Sequence, residues 1–287
     1  MLVAFVLTVS TVPSTATEAV EVVVPDAPDH LLVDGLERPL GIDDTPAFAW
    51  RVEDGRRGAV QRSYRVLVGR APMSAPGDPG VVWDSGEVAS PRQAFVAYAG
   101  PALSADAVYW WTVATSDEHG RFGPFAAPQR FETGLHDGDW RAQWIRRATA
   151  DAVDAADDYT YARREFTLAA SPIVRARAYV SADHQYQLWI NGARAAAGEA
   201  FSYPDSQYYE ASDVTALLEA GESVFLHFNA VKTYRGKWKN EAAVVLRGRF
   251  ALKPGVHVGY GNLGAHDHGS RRVERAAGNG SGRLRGD

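Results

Sequence analysis

Residues 108–116 read Val-Tyr-Trp-Trp-Thr-Val-Ala-Thr-Ser, and residues 63–69 read Ser-Tyr-Arg-Val-Leu-Val-Gly. Tyr109, Trp111 and Val113 fall on alternate positions of the first stretch, and Tyr64, Val66 and Val68 on alternate positions of the second. A period of two sets each trio on one face of a strand. Working outward, β-rich runs recur at residues 47–52, 81–84, 94–98 and 129–133. Breakers stand between them: Asp54-Gly55, the Pro- and Gly-rich residues 72–80, Ser85-Gly86, Gly100-Pro101 and His119-Gly120. No window sustains a helical period. Short strands with turns every 8–12 residues predict an antiparallel sandwich of the immunoglobulin or fibronectin type III kind.

A second β unit is expected over residues 135–253, with strands at 161–168, 174–181, 185–190, 223–229 and 242–252. In the run 174–180, Val174, Ala176, Ala178 and Val180 share one face, and Arg175 and Arg177 are expected to face water. Trp189-Ile190-Asn191-Gly192 ends a strand on an Asn-Gly pair, the strongest short hairpin signal. One helical turn is expected at 214–219, capped by Ser212 or Asp213 and closed by Gly221. The fold class that follows is all-β: two consecutive antiparallel sandwiches with little helix.

The ends of the chain differ from its middle. Residues 1–9 are almost uniformly apolar, too short for the about 20 residues of a spanning helix, and precede a small Ser14-Thr15-Ala16 site. No Lys or Arg occurs before Arg38, so residues 1–27 read as a signal-like leader without its basic start, which points to a secreted or cell-surface protein, with the cytoplasm as the alternative. Residues 254–287 hold nine of the 27 glycines and little apolar periodicity, and are expected to be a disordered tail, translated past a frameshift. Gly259-Tyr260-Gly261-Asn262-Leu263-Gly264 matches a dinucleotide fingerprint in letters only, because no strand–helix context surrounds it.

Composition removes several function classes. The chain has 287 residues and a net charge of −5, with no basic excess to attract nucleic acid. It has no cysteine, which removes thiol nucleophiles, disulfides and Cys-ligated metals. Glycoside hydrolysis needs two carboxylates facing each other across the scissile bond. Asp43-Asp44 and Asp157-Asp158 are sequence neighbours that read as solvated turn acids, so no catalytic residue is assigned.

The order of motifs resembles the N-terminal, non-catalytic region of bacterial α-L-rhamnosidases. It runs through Arg38-Pro39-Leu40-Gly41-Ile42-Asp43, Phe48-Ala49-Trp50 and Arg57-Gly58 with Gln61, Tyr64 and Val66. It continues through Val82-Trp83-Asp84-Ser85-Gly86, Tyr109-x-Trp111-x-Val113, Phe131-Glu132-Thr133-Gly134-Leu135 and Asp139-Trp140 with Trp144-Ile145. Arg163-Arg164-x-Phe166, Asn191-Gly192 and Asp213-Val214-Thr215-x-Leu217-Leu218 extend it into the second unit. The resemblance implies a fibronectin-like sandwich (residues 28–134), then a galactose-binding-like jelly roll (residues 135–253). It also implies a catalytic α/α barrel elsewhere in the parent enzyme, as the interdomain partner of this region. The expected function is an accessory region, scaffolding and glycan-binding, of a glycoside hydrolase that removes terminal α-L-rhamnose. The chain alone is expected to be inactive, and a stand-alone carbohydrate-binding or adhesion module is the alternative.

Sugar faces stack on exposed aromatic rings, so the second unit holds the candidate site. Trp189, Asn191, Tyr203, Asp205, Tyr208 and Tyr209 are its residues, the last four within an aromatic run, 201–209, read as a loop. Packing of those tyrosines between domains is the competing reading. Some jelly rolls of the family bind sugar through calcium, which makes Asp183 and Asp205 the candidate metal ligands. A rhamnose-containing glycan is the expected partner; no nucleic acid and no membrane span are expected.

Overall fold

The computed structural model describes residues 23–140, 142, 158–182, 185–199, 206–232, 242–250, 260–262 and 281–285. Over these the chain is all-β, in antiparallel sheets, with two single 3₁₀ turns at Asp137–Asp139 and Thr215–Leu217. Strands of the first half are β1 (Asp29–Val33), β2 (Ala47–Arg51), β3 (Ser63–Gly69), β4 (Val81–Asp84), β5 (Val88–Ala89), β6 (Val96–Ala97), β7 (Val108–Ser116) and β8 (Gln129–Glu132). One sheet runs β1-β2-β6; the other runs β4-β3-β7-β8, with β5 also on β3.

The alternating trios of β3 and β7 explain why these sheets face each other. Val66 pairs with Val113 and Val68 with Trp111, so both trios turn to the same side. There they meet Phe48 and Trp50 of β2 and Phe131 of β8, all buried. The Phe48 and Trp111 ring centroids lie 4.5 Å apart, within the range where aromatic pairs add to burial. Trp50 donates its indole N–H to Gln61 Oε1 at 3.1 Å, and the Gln61 amide donates to the Ser90 and Arg92 carbonyls at 3.0 Å each. Strand β6 is shorter than its sequence run because Phe95, largely in solvent, takes a left-handed φ of 54° that ends the pleat.

Strands of the second half are β9 (Asp158–Thr167), β10 (Ile173–Ala182), β11 (Gln185–Ile190), β12 (Ala193–Glu199), β13 (Ser206–Asp213), β14 (Ser223–Lys232), β15 (Ala242–Phe250), β16 (Tyr260–Asn262) and β17 (Ser281–Arg285). They form a β12-β11-β14-β9 sheet over a β16-β15-β10-β13-β17 sheet. Ala176, Ala178 and Val180 of β10 pack on Tyr186, Leu188 and Ile190 of β11 and on Val224 and Leu226 of β14. Each of the larger aliphatic side chains contributes about 1.5–3 kcal/mol by leaving water.

The structure adds to or departs from the sequence reading at four places. Residues 206–209 are not loop but the start of β13, so Tyr208 and Tyr209 point to opposite faces of a sheet. Strand β12, Ala-Arg-Ala-Ala-Ala-Gly-Glu, lacks β-forming residues and is held by its hairpin register to β11. Within the segment expected to be disordered, β16 and β17 pair with β15 and β13. Such edge pairing draws on backbone hydrogen bonds and asks little of side-chain pattern. Arg175 and Arg177 are buried, not solvated, and Val174 beside the β10 bulge is the exposed residue. The outer face of β10 is covered by the first sandwich.

Candidate functional site

Two places in the second half gather the polar and aromatic residues. The first is the joint with the first half. Glu132, at the end of β8 and 1% exposed, accepts from Arg175 Nη1 at 2.7 Å and from Arg177 Nε at 2.8 Å, and also pairs with Arg130. Arg175 donates as well to the Asp106 carbonyl at 2.7 Å, and Tyr179 donates its hydroxyl to Asp106 Oδ1 at 3.0 Å. Burial pushes the Glu132 pKa up, but hydrogen bonds from Arg177 and the charges of Arg177, Arg175 and Arg130 outweigh it, so the carboxyl stays below its ordinary range. Burial, with the Asp106 charge beside it, pushes the Tyr179 hydroxyl well up.

Tyr209 belongs to this joint. Its ring is fully buried among Leu135, Tyr179 and Trp140, and its hydroxyl donates to Asp43 Oδ2 at 3.0 Å. Asp43 is therefore a buried acceptor between the halves, not a solvated turn acid. The approach is close: a Cβ on Gly134 would lie 2.3 Å from the Tyr209 hydroxyl and 2.8 Å from the Gly41 carbonyl. This places Tyr209 away from solvent and against the first sandwich.

The second place is the outer face of the β12-β11-β14-β9 sheet. Because Leu188 and Ile190 point into the core, Trp189 points out, half-buried. Trp189 pairs with His227 of β14, and His227 pairs with Arg163 of β9. On the other side Trp189 pairs with Arg194 of β12. Paired residues share a face, so Arg194, Trp189, His227 and Arg163 form one row. With neighbouring strands about 4.8 Å apart, the row spans about 14 Å. Tyr161, 74% exposed, stands two residues from Arg163 on the same face. Tyr161, Ala162, Arg163, Trp189, Gly192 and His227 line an open depression of about 440 Å³, within the size range of small-ligand sites.

The Asn-Gly turn holds this depression in shape. Asn191 and Gly192 take φ of 51° and 82°, as a type I′ turn requires of both central residues. Asn191 Nδ2 donates to the Leu217 carbonyl at 2.9 Å, and its Oδ1 accepts from the Phe225 amide at 2.9 Å. Asn191 thus spends its amide on locking the turn, and of that pair only the Trp189 side chain is left facing outward over the sheet. The adjacent 3₁₀ turn has Val214 as its N-cap, and Asp213, one residue earlier, accepts from the Thr215 amide at 3.0 Å.

Of the remaining sequence candidates, Tyr203, Asp205 and Asp183 lie outside the described residues. Tyr208 sits half-buried on β13, its carbonyl accepting from Ser181 Oγ at 2.7 Å. Among the described residues no three His, Asp or Glu side chains converge as a metal cluster, and no helix is long and apolar enough to cross a membrane. Sequence reading missed Tyr161, Arg163 and His227. They come from strands distant in the chain, and only the pairing register brings them to Trp189.

Comparison with known proteins agrees with this architecture. Residues 28–137 match the family described as Rha78A-like, N-terminal immunoglobulin domain. An α-L-rhamnosidase of Streptomyces avermitilis is 38% identical over 117 residues, which is 39% of this chain and 11% of that protein. One from Formosa agariphila is 26% identical over 241 residues, covering 74% of this chain and 25% of that protein. Among solved structures, α-L-rhamnosidase from Dictyoglumus thermophilum superposes with a TM-score of 0.66 at 24% identity, over 77% of this chain and 27% of its own. That from Aspergillus terreus gives 0.60 at 21% identity, over 82% of this chain and 28% of its own. The matching part is the N-terminal, non-catalytic region of these enzymes. The chain spans between about a tenth and a quarter of the length of the curated relatives it matches.

Proposed function

We propose that this chain serves as a rigid accessory region of an α-L-rhamnosidase-like glycoside hydrolase, holding its two sandwiches at a fixed angle and binding rhamnose-containing glycan through the second. In this reading the units divide at residues 134 and 135, a catalytic α/α barrel is the partner domain, and the apolar residues 1–9 direct the protein out of the cell. The observation that carries it is the make-up of the depression around Trp189. Its lining is aromatic and cationic and includes no carboxylate. Hydrolysis of a glycoside requires two carboxyl groups roughly 5–10 Å apart across the substrate, one able to give up a proton. The Asp106 and Glu132 carboxylates are buried in the joint and committed to guanidinium groups, with Glu132 held ionised. Ring faces and fixed polar donors suit binding instead.

The test is direct. Purified chain should release no nitrophenol from nitrophenyl α-L-rhamnoside above a heat-treated control. Rhamnose-containing oligosaccharides should change its tryptophan fluorescence in a saturable way. Hydrolysis that co-purifies with the protein and falls on substitution of an Asp or Glu would overturn the proposal.

A further inference from the structure

We propose that the outer face of the β12-β11-β14-β9 sheet, centred on Trp189, binds a glycan that carries carboxylate groups, a uronate-containing chain. This rests on the glycan-binding reading above and adds to it the site and the charge of the ligand. Trp189 offers a half-buried ring held by a locked turn, and Tyr161 a second, freely exposed ring on the same face. A sugar ring covers such a face with its C–H groups and leaves its polar substituents at the edges. At those edges stand Arg163 and Arg194, one on either side of Trp189, both exposed. Neither makes an ion pair among the described residues.

The arginines at the joint, by contrast, are paired with Asp or Glu: Arg130, Arg175 and Arg177. Two exposed guanidinium groups beside an aromatic platform are complementary to planar anions, which they grip through two parallel N–H bonds. His227, between Trp189 and Arg163 in the row, adds a ring nitrogen able to hydrogen-bond a hydroxyl. Glu165 lies one step further along β9 on the same face, opposite Phe225. Its charge disfavours a densely sulfated chain or a nucleic acid and leaves room for isolated carboxylates, as does the overall charge of −5.

The experiment titrates the full chain with a rhamnose–uronate tetrasaccharide and with the same oligosaccharide after its carboxyl groups are reduced to primary alcohols. The intact form should bind at least about tenfold more tightly, and only its affinity should fall as salt is raised. Trp189→Ala should abolish binding of both forms. Arg163→Gln and Arg194→Gln should weaken the intact form several-fold and leave the reduced form unchanged. All three side chains reach solvent, and unchanged thermal melting will show that the variants fold. Equal affinity for the two forms overturns the carboxylate assignment and leaves glycan binding standing. Normal binding by Trp189→Ala overturns the location, and tighter binding of a sulfated chain overturns the choice of anion. Binding of neither form overturns this proposal together with the glycan-binding reading on which it rests.

Discussion

Replacing Glu132 with alanine removes the carboxylate on which Arg130, Arg175 and Arg177 converge, and the cost follows from what each arginine keeps. Glu132 is 1% exposed and Arg177 2%, so the pair is out of water. Removing one partner of a buried ion pair costs about 3–5 kcal/mol, because the other charge is left without compensation. Arg177 retains the Ala176 carbonyl at 2.8 Å and Asp213 at 2.6 Å, and Arg175 retains Asp106. Those remaining acceptors move the expectation to the lower end, about 3 kcal/mol. With a urea dependence of about 3 kcal/mol per molar, the unfolding midpoint should fall by about 1 M. Tryptophan fluorescence reports it, since Trp140 packs at the joint against Tyr209. A loss below about 1 kcal/mol, the value of a solvent-exposed pair, would refute the reasoning. It would mean that water reaches the joint and that the sandwiches are not held together by this network.

The same carboxylate predicts a pH response. Its folded pKa lies below its ordinary value of 4.5, so its contribution is complete above that pH and is lost as pH falls through the lower, folded value. Urea midpoints measured from pH 7 to pH 3 should drop more steeply for the native chain than for Glu132→Gln. Gly134→Ala should loosen the joint by about 2 kcal/mol, because the added Cβ meets the Gly41 carbonyl as well as the Tyr209 hydroxyl; a Tm equal to that of the parent would argue against the close approach. Tyr209→Phe should cost about 1 kcal/mol, the worth of its bond to Asp43, and should leave glycan affinity unchanged in a binding titration. Asn191→Ala should cost about 1–2 kcal/mol by thermal melting, through the positive φ and the two side-chain bonds it gives up.

Local pattern accounts for much of the fold. Strands β3, β4, β7 and β11 coincide with runs read from residues 63–69, 81–84, 108–116 and 185–190. Each alternates or is bounded by strong turn residues, and that information is contained within the segment itself. The Asn191-Gly192 hairpin was legible for the same reason: few residue pairs accept two positive φ angles in succession. Resemblance to the α-L-rhamnosidase N-terminal region was legible too, because motifs such as Phe131-Glu132-Thr133-Gly134-Leu135 keep their order along the chain.

What lies opposite a face is not written in that face. The period of two separates Arg175 and Arg177 from Ala176 and Ala178, but water and a neighbouring domain look alike to an alternation rule. Only the packing of β10 against β8 and Asp106 made those arginines buried. Tyr209 was likewise visible as an aromatic residue, yet its environment depended on Gly134 and Asp43, far away in sequence. The sheet face around Trp189 has the same origin. One of its residues was evident from the chain, while Tyr161, Arg163 and His227 joined it through strand register. Sequence by itself determined the alternating strands, the tight turns and the resemblance of this protein to α-L-rhamnosidase N-terminal regions. The tertiary structure alone decided which charges were paired and which were left facing solvent, because burial and pairing are set by contacts between segments that share no local signal.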